Sequence, residues 1–213
     1  MTGFENISGG LSADRLAGGI ADDSIQGSSG DDTLFGGRGD DTLLGGADSD
    51  VISGGRGNDV LDSSGFGSTK STLLGGPGND TITGSDEIDR IEGGPGSDVL
   101  IGGRDRDFLT GGTEADMFLY QSTNDSTTGR QRDVIADFEQ GVDVIMLDFF
   151  SAFNSPEPLW IGGAAFSSTP GEISATTDGL RTILRVDIDG DAAADFSVIL
   201  TGGFVLTEAD VLF

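Results

Sequence analysis

The chain has 213 residues with 37 acidic against 11 basic side chains, a formal charge of −26 and only 35% hydrophobic content. Such a charge repels itself in any compact metal-free state and offers no Lys/Arg stripe for nucleic-acid backbones or anionic membrane surfaces, so cations are the expected partners. The absence of histidine and cysteine removes Ser-His-Asp triads, His-ligated zinc and disulfides.

Residues 1–26 have neither a basic start nor an apolar run, so no N-terminal signal peptide is expected. No apolar stretch approaches the roughly 18 residues that span a bilayer, so no membrane span is expected either.

From Gly9 the sequence repeats every nine residues. Units open at Gly9, Gly18, Gly27, Gly36, Gly45 and Gly54, then, after the stretch 63–74, at Gly75, Gly84, Gly93, Gly102 and Gly111. Their sixth residues are Asp14, Asp23, Asp32, Asp41, Asp50, Asp59, Asp80, Asp89, Asp98, Asp107 and Asp116. Their eighth residues are large and apolar throughout: Leu16, Ile25, Leu34, Leu43, Ile52, Leu61, Ile82, Ile91, Leu100, Leu109 and Phe118. A turn followed by a very short strand with one inward side chain accounts for this pattern, and a flexible glycine-rich linker does not. The implied fold class is all-β, a parallel β-roll in which two units make one coil of a right-handed solenoid.

Four units match G-G-x-G-x-D in full, and they supply the candidate turns Gly37/Gly39/Asp41, Gly55/Gly57/Asp59, Gly76/Gly78/Asp80 and Gly94/Gly96/Asp98. Glycines at positions one, two and four are expected to take positive φ and to bring carbonyl oxygens toward one point, to which the aspartate adds charge. Calcium takes six to eight oxygen ligands, more than one turn can offer, so successive turns stacked about 4.8 Å apart are expected to share ions. Several Ca2+ ions are implied. Counting 63–74 as one enlarged unit, with Leu73 inward, puts all four full matches on one edge. If that stretch loops out instead, the edges exchange after Gly75. On the opposite edge Ser12, Asp48, Glu87 and Asp105 replace the fourth glycine, and Arg90, Arg104 and Arg106 cluster there. The reading is a calcium ladder on one edge, with Arg/Asp pairing replacing ions on parts of the other. Without metal, a disordered or loose chain is expected.

After Tyr120 the period stops. Strand-like runs at 133–135, 142–147, 182–188 and 194–200, with Phe138, Phe149, Phe150, Phe153, Trp160, Phe166, Phe196, Phe204 and Phe213, suggest a second, β-rich domain with its own small core. The boundaries expected are 1–120 for the roll and 121–213 for the cap. Asp187, Asp189, Asp191 and Asp195 hint at an EF-hand-like loop, but the glycine sits at the fourth position instead of the sixth and Val198 stands where the bidentate acid belongs, so a polar hairpin turn is preferred. Arg38-Gly39-Asp40 falls inside a repeat turn, and Asp31/Asp32 and Asp40/Asp41 read as ligand and solvated neighbour and not as a glycosidase pair.

The units GGRGDDTLL, GGRGNDVLD, GGPGNDTIT and GGPGSDVLI identify the roll as similar to the RTX calcium-binding repeat proteins. GGTEADMFLY from Gly111, DVIADFEQGVDVIML from Asp133, WIGGAAFSSTPGEI from Trp160 and DIDGDAAADFSVILTG from Asp187 resemble the C-terminal domain of serralysin-type secreted metalloproteases. That resemblance implies a noncatalytic region whose end, here Asp210-Val211-Leu212-Phe213, is read by a type I (ABC-transporter) secretion machine. It also implies that Asp133 helps to ligate the last calcium with the Gly111 turn. The protease module with H-E-x-x-H is missing, so no peptidase activity is carried over. The expectation is a monomeric, noncatalytic, secreted bacterial module that folds on meeting extracellular calcium. The alternative is the C-terminal portion or partner of a secreted hydrolase or polysaccharide-modifying enzyme.

Overall fold

The computed structural model describes residues 5–65, 67, 69–151 and 156–213. Each repeat delivers one short strand, and successive strands alternate between two facing parallel sheets. One sheet takes Asn6–Ser8, Ser24–Ser29, Thr42–Ala47, Val60–Asp62, Thr81–Thr83, Val99–Ile101, Met117–Tyr120, Val144–Leu147 and Val211–Leu212 in spatial order. The other runs Arg15–Gly19, Thr33–Arg38, Val51–Arg56, Thr72–Leu74, Arg90–Pro95, Phe108–Thr113 and Val134–Ile135, and then Phe196–Thr201, Arg181–Asp187, Glu172–Thr177 and Leu159–Gly162.

The strands are short because each has one residue to bury. Ile25 registers on Leu43 and Leu34 on Ile52, so the eighth positions stack into a file along the roll axis. From Ile25 to Phe118 these side chains are at most 1% exposed, and only Leu16 at the open end is half-buried. Their flanking residues face outward, which is why the chain is poor in hydrophobic residues and still has a continuous core.

The enlarged unit takes the place of one ordinary repeat. Leu73 lies between Ile52 and Ile91 with no exposure, so both sheets keep their phase across it. Its extra length stays in the turn, where Ser71 occupies the aspartate position: the Asp50 N–H donates to Ser71 Oγ at 3.2 Å and the Ser71 N–H to Asp89 Oδ1 at 2.6 Å. The edges therefore do not exchange.

The expected separate core after Tyr120 is not formed. Both sheets run on into this part, and its apolar residues join the same buried cluster as the file of the roll. Tyr120 meets Phe196 edge-on at 4.9 Å, Phe196 meets Phe149 at 5.4 Å, and Phe118 contacts Phe138 at 6.2 Å. The reason is geometric. A solenoid ends in an unpaired rung of strands whose apolar side chains must be covered, and the C-terminal third covers them. Phe166 is half-buried and Phe213 exposed, both outside that cluster, and Phe153 lies outside the described residues. The four expected strand runs are present, whereas Leu159–Gly162, Glu172–Thr177 and Val211–Leu212 carried too weak an alternation to be anticipated. The last of these pairs with Val144–Leu147, so Val211 and Leu212 are tied into the sheet. Among the described residues no helix is long and apolar enough to cross a membrane.

Candidate metal centre

The turns fall on two edges. One edge holds those beginning at Gly18, Gly36, Gly54, Gly75, Gly93 and Gly111, which lead from the second sheet to the first. All four full matches are among them, as expected. The other holds those beginning at Gly9, Gly27, Gly45, Ser63, Gly84 and Gly102.

On each edge the sixth-position aspartates form a ladder. Asp41 Oδ1 accepts the N–H of Asp23 at 2.7 Å, Asp59 Oδ1 that of Asp41 at 2.8 Å, Asp80 Oδ1 that of Asp59 at 2.8 Å, Asp98 Oδ1 that of Asp80 at 2.7 Å and Asp116 Oδ1 that of Asp98 at 2.9 Å. The opposite edge repeats this from Asp32 to Asp14 at 2.7 Å, Asp50 to Asp32 at 3.0 Å and Asp107 to Asp89 at 2.7 Å. Asp23 does the same for Glu5 at the open end, while Asp14 is half-buried there. Each aspartate thus spends one oxygen on the backbone of the preceding coil.

The second oxygen separates the edges. On the first edge Oδ2 of Asp41, Asp59, Asp80, Asp98 and Asp116 is buried without a hydrogen-bond partner, in five consecutive turns. On the second edge Asp32, Asp50 and Asp107 share that condition, but the run is broken in its middle. There Ser71 has no carboxylate, and Asp89 Oδ2 accepts both the N–H and the hydroxyl of Ser85, at 2.5 and 2.9 Å. Asp14 Oδ2 is likewise satisfied, by the Gly10 N–H at 2.6 Å. The expected Arg/Asp replacement is confined to one exposed pair, Arg104 with Asp86 at 3.7 Å. Arg90 pairs with Glu92 and Arg106 lies over the Phe108 ring. Serines, which can donate to a carboxylate from within the turn, take the part assigned to arginine.

A buried carboxylate oxygen with no donor is costly and pushes the group toward its neutral form. Loss of hydration, and secondarily the charges of neighbouring aspartates, raise Asp41 and Asp50 to about 6 and Asp80 and Asp116 to about 7. Asp32, Asp59, Asp89 and Asp98 move the same way from the same first cause. Among the described residues no ion pair joins an arginine or lysine to the orphaned oxygens of the first edge, so the missing countercharge fits a bound cation.

The glycines divide the work differently from expectation. Positive φ occurs at positions two and four, as at Gly37, Gly39, Gly55, Gly57, Gly76, Gly78, Gly94 and Gly96, but not at position one. Position one is glycine for room: a Cβ on Gly36, Gly54, Gly75 or Gly93 would overlap Oδ2 of the aspartate five residues on. At positions two and four the overlap is with carbonyl oxygens of the preceding coil, Gly37 O beneath Gly55 and Gly39 O beneath Gly57. Two columns of carbonyls therefore accompany the carboxylates, the mixed hard-oxygen set that suits calcium. Where the glycine is lost the strain remains, since Ser28, Asp48, Asp105 and Glu114 hold φ of 91°, 74°, 65° and 77°.

Asp133 is buried, with the Tyr120 hydroxyl beside its carboxylate, but it stands on the Gly102 turn, accepting the Asp107 N–H at 2.9 Å, and not on the Gly111 turn. The residues that meet the Gly111 turn are Asp137, which accepts the N–H groups of Gly111 and Gly112 at 3.0 and 2.9 Å, and Asp143, which accepts that of Asp116 at 3.0 Å. Their signal was the run D-F-x-x-G-x-D. It escaped notice because the coil lengthens here, with Met117 pairing with Val144. The loop from Asp187 to Asp195 is the preferred hairpin. Three of its carboxylates lie within 4.8 Å of one another, but both Asp187 oxygens accept N–H groups of the turn itself, from Gly190 at 2.7 Å and Ala192 at 2.9 Å.

The family model for the serralysin C-terminal region of M10 peptidases matches residues 5–213. The chain belongs to that family. It is a calcium-binding repeat module of the serralysin C-terminal type, the part of those proteins that is not the protease. Similar solved structures include two repeat subunits of the Azotobacter vinelandii mannuronan C5-epimerase. The AlgE6R2 subunit is 26% identical, with a TM-score of 0.47 over 76% of this chain and 91% of that one. The AlgE6R3 subunit is 23% identical, with a TM-score of 0.37 over 96% of this chain and 80% of that one. No curated protein matches the chain.

Proposed function

We propose that the chain is a noncatalytic, secreted module in which calcium binding and folding are one event. The observation that carries this is the run of five orphaned, buried Oδ2 atoms at Asp41, Asp59, Asp80, Asp98 and Asp116. In this reading each ion sits between successive turns of the first edge, held by Oδ2 and by the carbonyls of positions two and four. Asp23 begins that ladder and Asp143 ends it. The orphaned Asp32, Asp50 and Asp107, together with Asp133, form a weaker and interrupted set, and Asp14 and Asp89 contribute least. Binding energy is then folding energy, because the metal-free turns hold their carboxylates against burial and mutual repulsion.

Export follows from the same switch. At the low calcium of a bacterial cytoplasm the chain stays loose and the end Asp210-Val211-Leu212-Phe213 is free for a type I transporter. Outside, calcium closes the roll and the end enters the first sheet, where Val211 is buried. Membership in the serralysin C-terminal family supports the extracellular placement. It equally favours a second reading, in which the chain serves as the calcium-binding portion or partner of a secreted enzyme.

Far-UV circular dichroism of the full chain during a calcium titration tests the proposal. The expected result is a weak β signal in chelator that grows cooperatively with calcium. A complete β signal in chelator, unchanged by calcium, contradicts it.

A further inference from the structure

The cap carries a second set of unsatisfied groups, of opposite sign. Asp133 and Ile135 point into the core, so by alternation Arg132 lies on the outer face of the second sheet. On Phe196–Thr201 the inward residues are Phe196, Val198 and Leu200, which puts Ser197 on that same outer face. Ser197 registers on Arg185, and Arg185 on Ser174, while Arg132 precedes Val134–Ile135, which pairs with Ile199 and Leu200, and its charge acts on Arg185. Arg185 and Ser197 thus share one row across neighbouring strands, and Arg132, just ahead of Val134–Ile135, extends it.

Two atoms in this row have no partner. Arg132 Nε is a buried donor without an acceptor, and Ser197 Oγ is buried and unbonded in a residue only 2% exposed. Arg185 spends one N–H on Thr176 Oγ1 at 2.7 Å. Neither arginine belongs to any of the three ion pairs among the described residues, Arg90–Glu92, Arg104–Asp86 and Arg181–Asp178. In a chain with 37 acids and 11 bases, two neighbouring guanidinium groups without a carboxylate need an explanation. Burial, and then the adjacent charge of Arg132, hold Arg185 below its usual value, so the two cations work against each other as they stand.

We propose that this row is an oxyanion site, in which Arg132 and Arg185 flank the Ser197 hydroxyl and together grip a carboxylate, sulfate or phosphate group. Guanidinium is suited to such oxygens because its planar fork offers parallel N–H donors, and the hydroxyl adds a donor between the two forks. The site lies on the outer face of the cap, while Asp133, next to Arg132 in the chain, is buried on the core side, and a formal charge of −26 makes the site a selective exception on an anion-repelling surface.

The test uses the full, calcium-loaded chain, titrated at constant ionic strength with sodium acetate, or with sodium sulfate kept below the solubility limit of calcium sulfate. Arginine side-chain Nε–H resonances are the readout. The expected result is a saturable shift of the Arg132 and Arg185 signals with at least one probe. Saturation by acetate points to a carboxylate source and saturation by sulfate to a tetrahedral oxyanion. In Arg132→Gln and Arg185→Gln the apparent affinity should fall about tenfold or more, as expected for a lost charge-assisted hydrogen bond, with a smaller fall in Ser197→Ala. Arg130→Gln, which alters an exposed arginine in the same loop, should bind as the parent does. Calcium-induced circular dichroism checks that each variant is folded. Shifts that are absent, that rise linearly without saturating, or that survive unchanged in both arginine variants overturn the proposal.

Discussion

The two edges of the roll are made from one repeat, yet only one keeps an unbroken run of free carboxylate oxygens. On the first edge five successive carboxylates retain a free oxygen, and on the second Ser71 and Ser85 interrupt the series. The difference teaches that the aspartate has two separable tasks. Its Oδ1 ties each coil to the previous one on both edges, a task that a serine hydroxyl can partly assume. Its Oδ2, in the proposed reading, is left for a cation, and donors from within the turn cancel that role, the Ser85 N–H and hydroxyl at Asp89 and the Gly10 N–H at Asp14.

The largest effect that would sharpen this contrast is loss of a carboxylate in the unbroken run. Asp80→Asn keeps an acceptor for the Asp59 N–H and removes the charge, so the calcium concentration at the folding midpoint should rise on the order of tenfold or more. Asp89→Asn on the other edge should shift it much less, since Ser85 already satisfies Oδ2. Circular dichroism titrations of the two variants side by side check this, and equal shifts would erase the distinction.

Glycine substitutions should follow the same division. Gly57→Ala combines a φ of 132° with overlap on Gly39 O, and should destabilise the loaded fold by more than the roughly 1–3 kcal/mol of a left-handed residue alone. Gly67→Ala, in the enlarged turn of the second edge, meets open space at a φ of 75° and should cost only about 1 kcal/mol. Thermal unfolding in calcium measures both.

The response to pH is smaller and has a definite sign. Burial raises Asp41 and Asp50 to about 6 and Asp80 and Asp116 to about 7, above the roughly 3.9 of an unfolded aspartate. A raised folded pKa contributes stability below the unfolded value, and that contribution is lost as pH rises through the folded one. In calcium-free buffer the chain should therefore hold more β structure near pH 5 than near pH 8. Calcium should remove most of that dependence, and its midpoint should rise as protons compete at lower pH. Identical calcium-free spectra at the two pH values would count against the buried carboxylates. The smallest effect belongs to Arg104→Ala, which removes an exposed ion pair and should change stability by less than about 1 kcal/mol in a denaturant titration.

Much of this was legible in the sequence because a solenoid writes its fold locally. Asp at position six and Leu or Ile at position eight report the turn and the core file within each unit, whereas the enlarged repeat stayed open between two registers until the structure set Leu73 between Ile52 and Ile91. The role of the first glycine was not legible, because its cause is the carboxylate of a residue five positions on and not its own φ. The closing rung was also hidden. Asp133, Asp137 and Asp143 reach back 26 or 27 residues in place of 18, so counting by nine gives no register for them. The continuity of the cap with the roll was missed for a related reason. Aromatic residues clustered after Tyr120 look the same whether they form a new core or cover an old one.

The most direct test of the central claim is a crystal structure of the chain grown in calcium, with ions located by anomalous scattering. The account predicts an unbroken file of ions along the edge of Asp41, Asp59, Asp80, Asp98 and Asp116, and a gap on the other edge at Ser71 and Asp89. Equal filling of both edges, or orphaned Oδ2 atoms with no ion beside them, would contradict it.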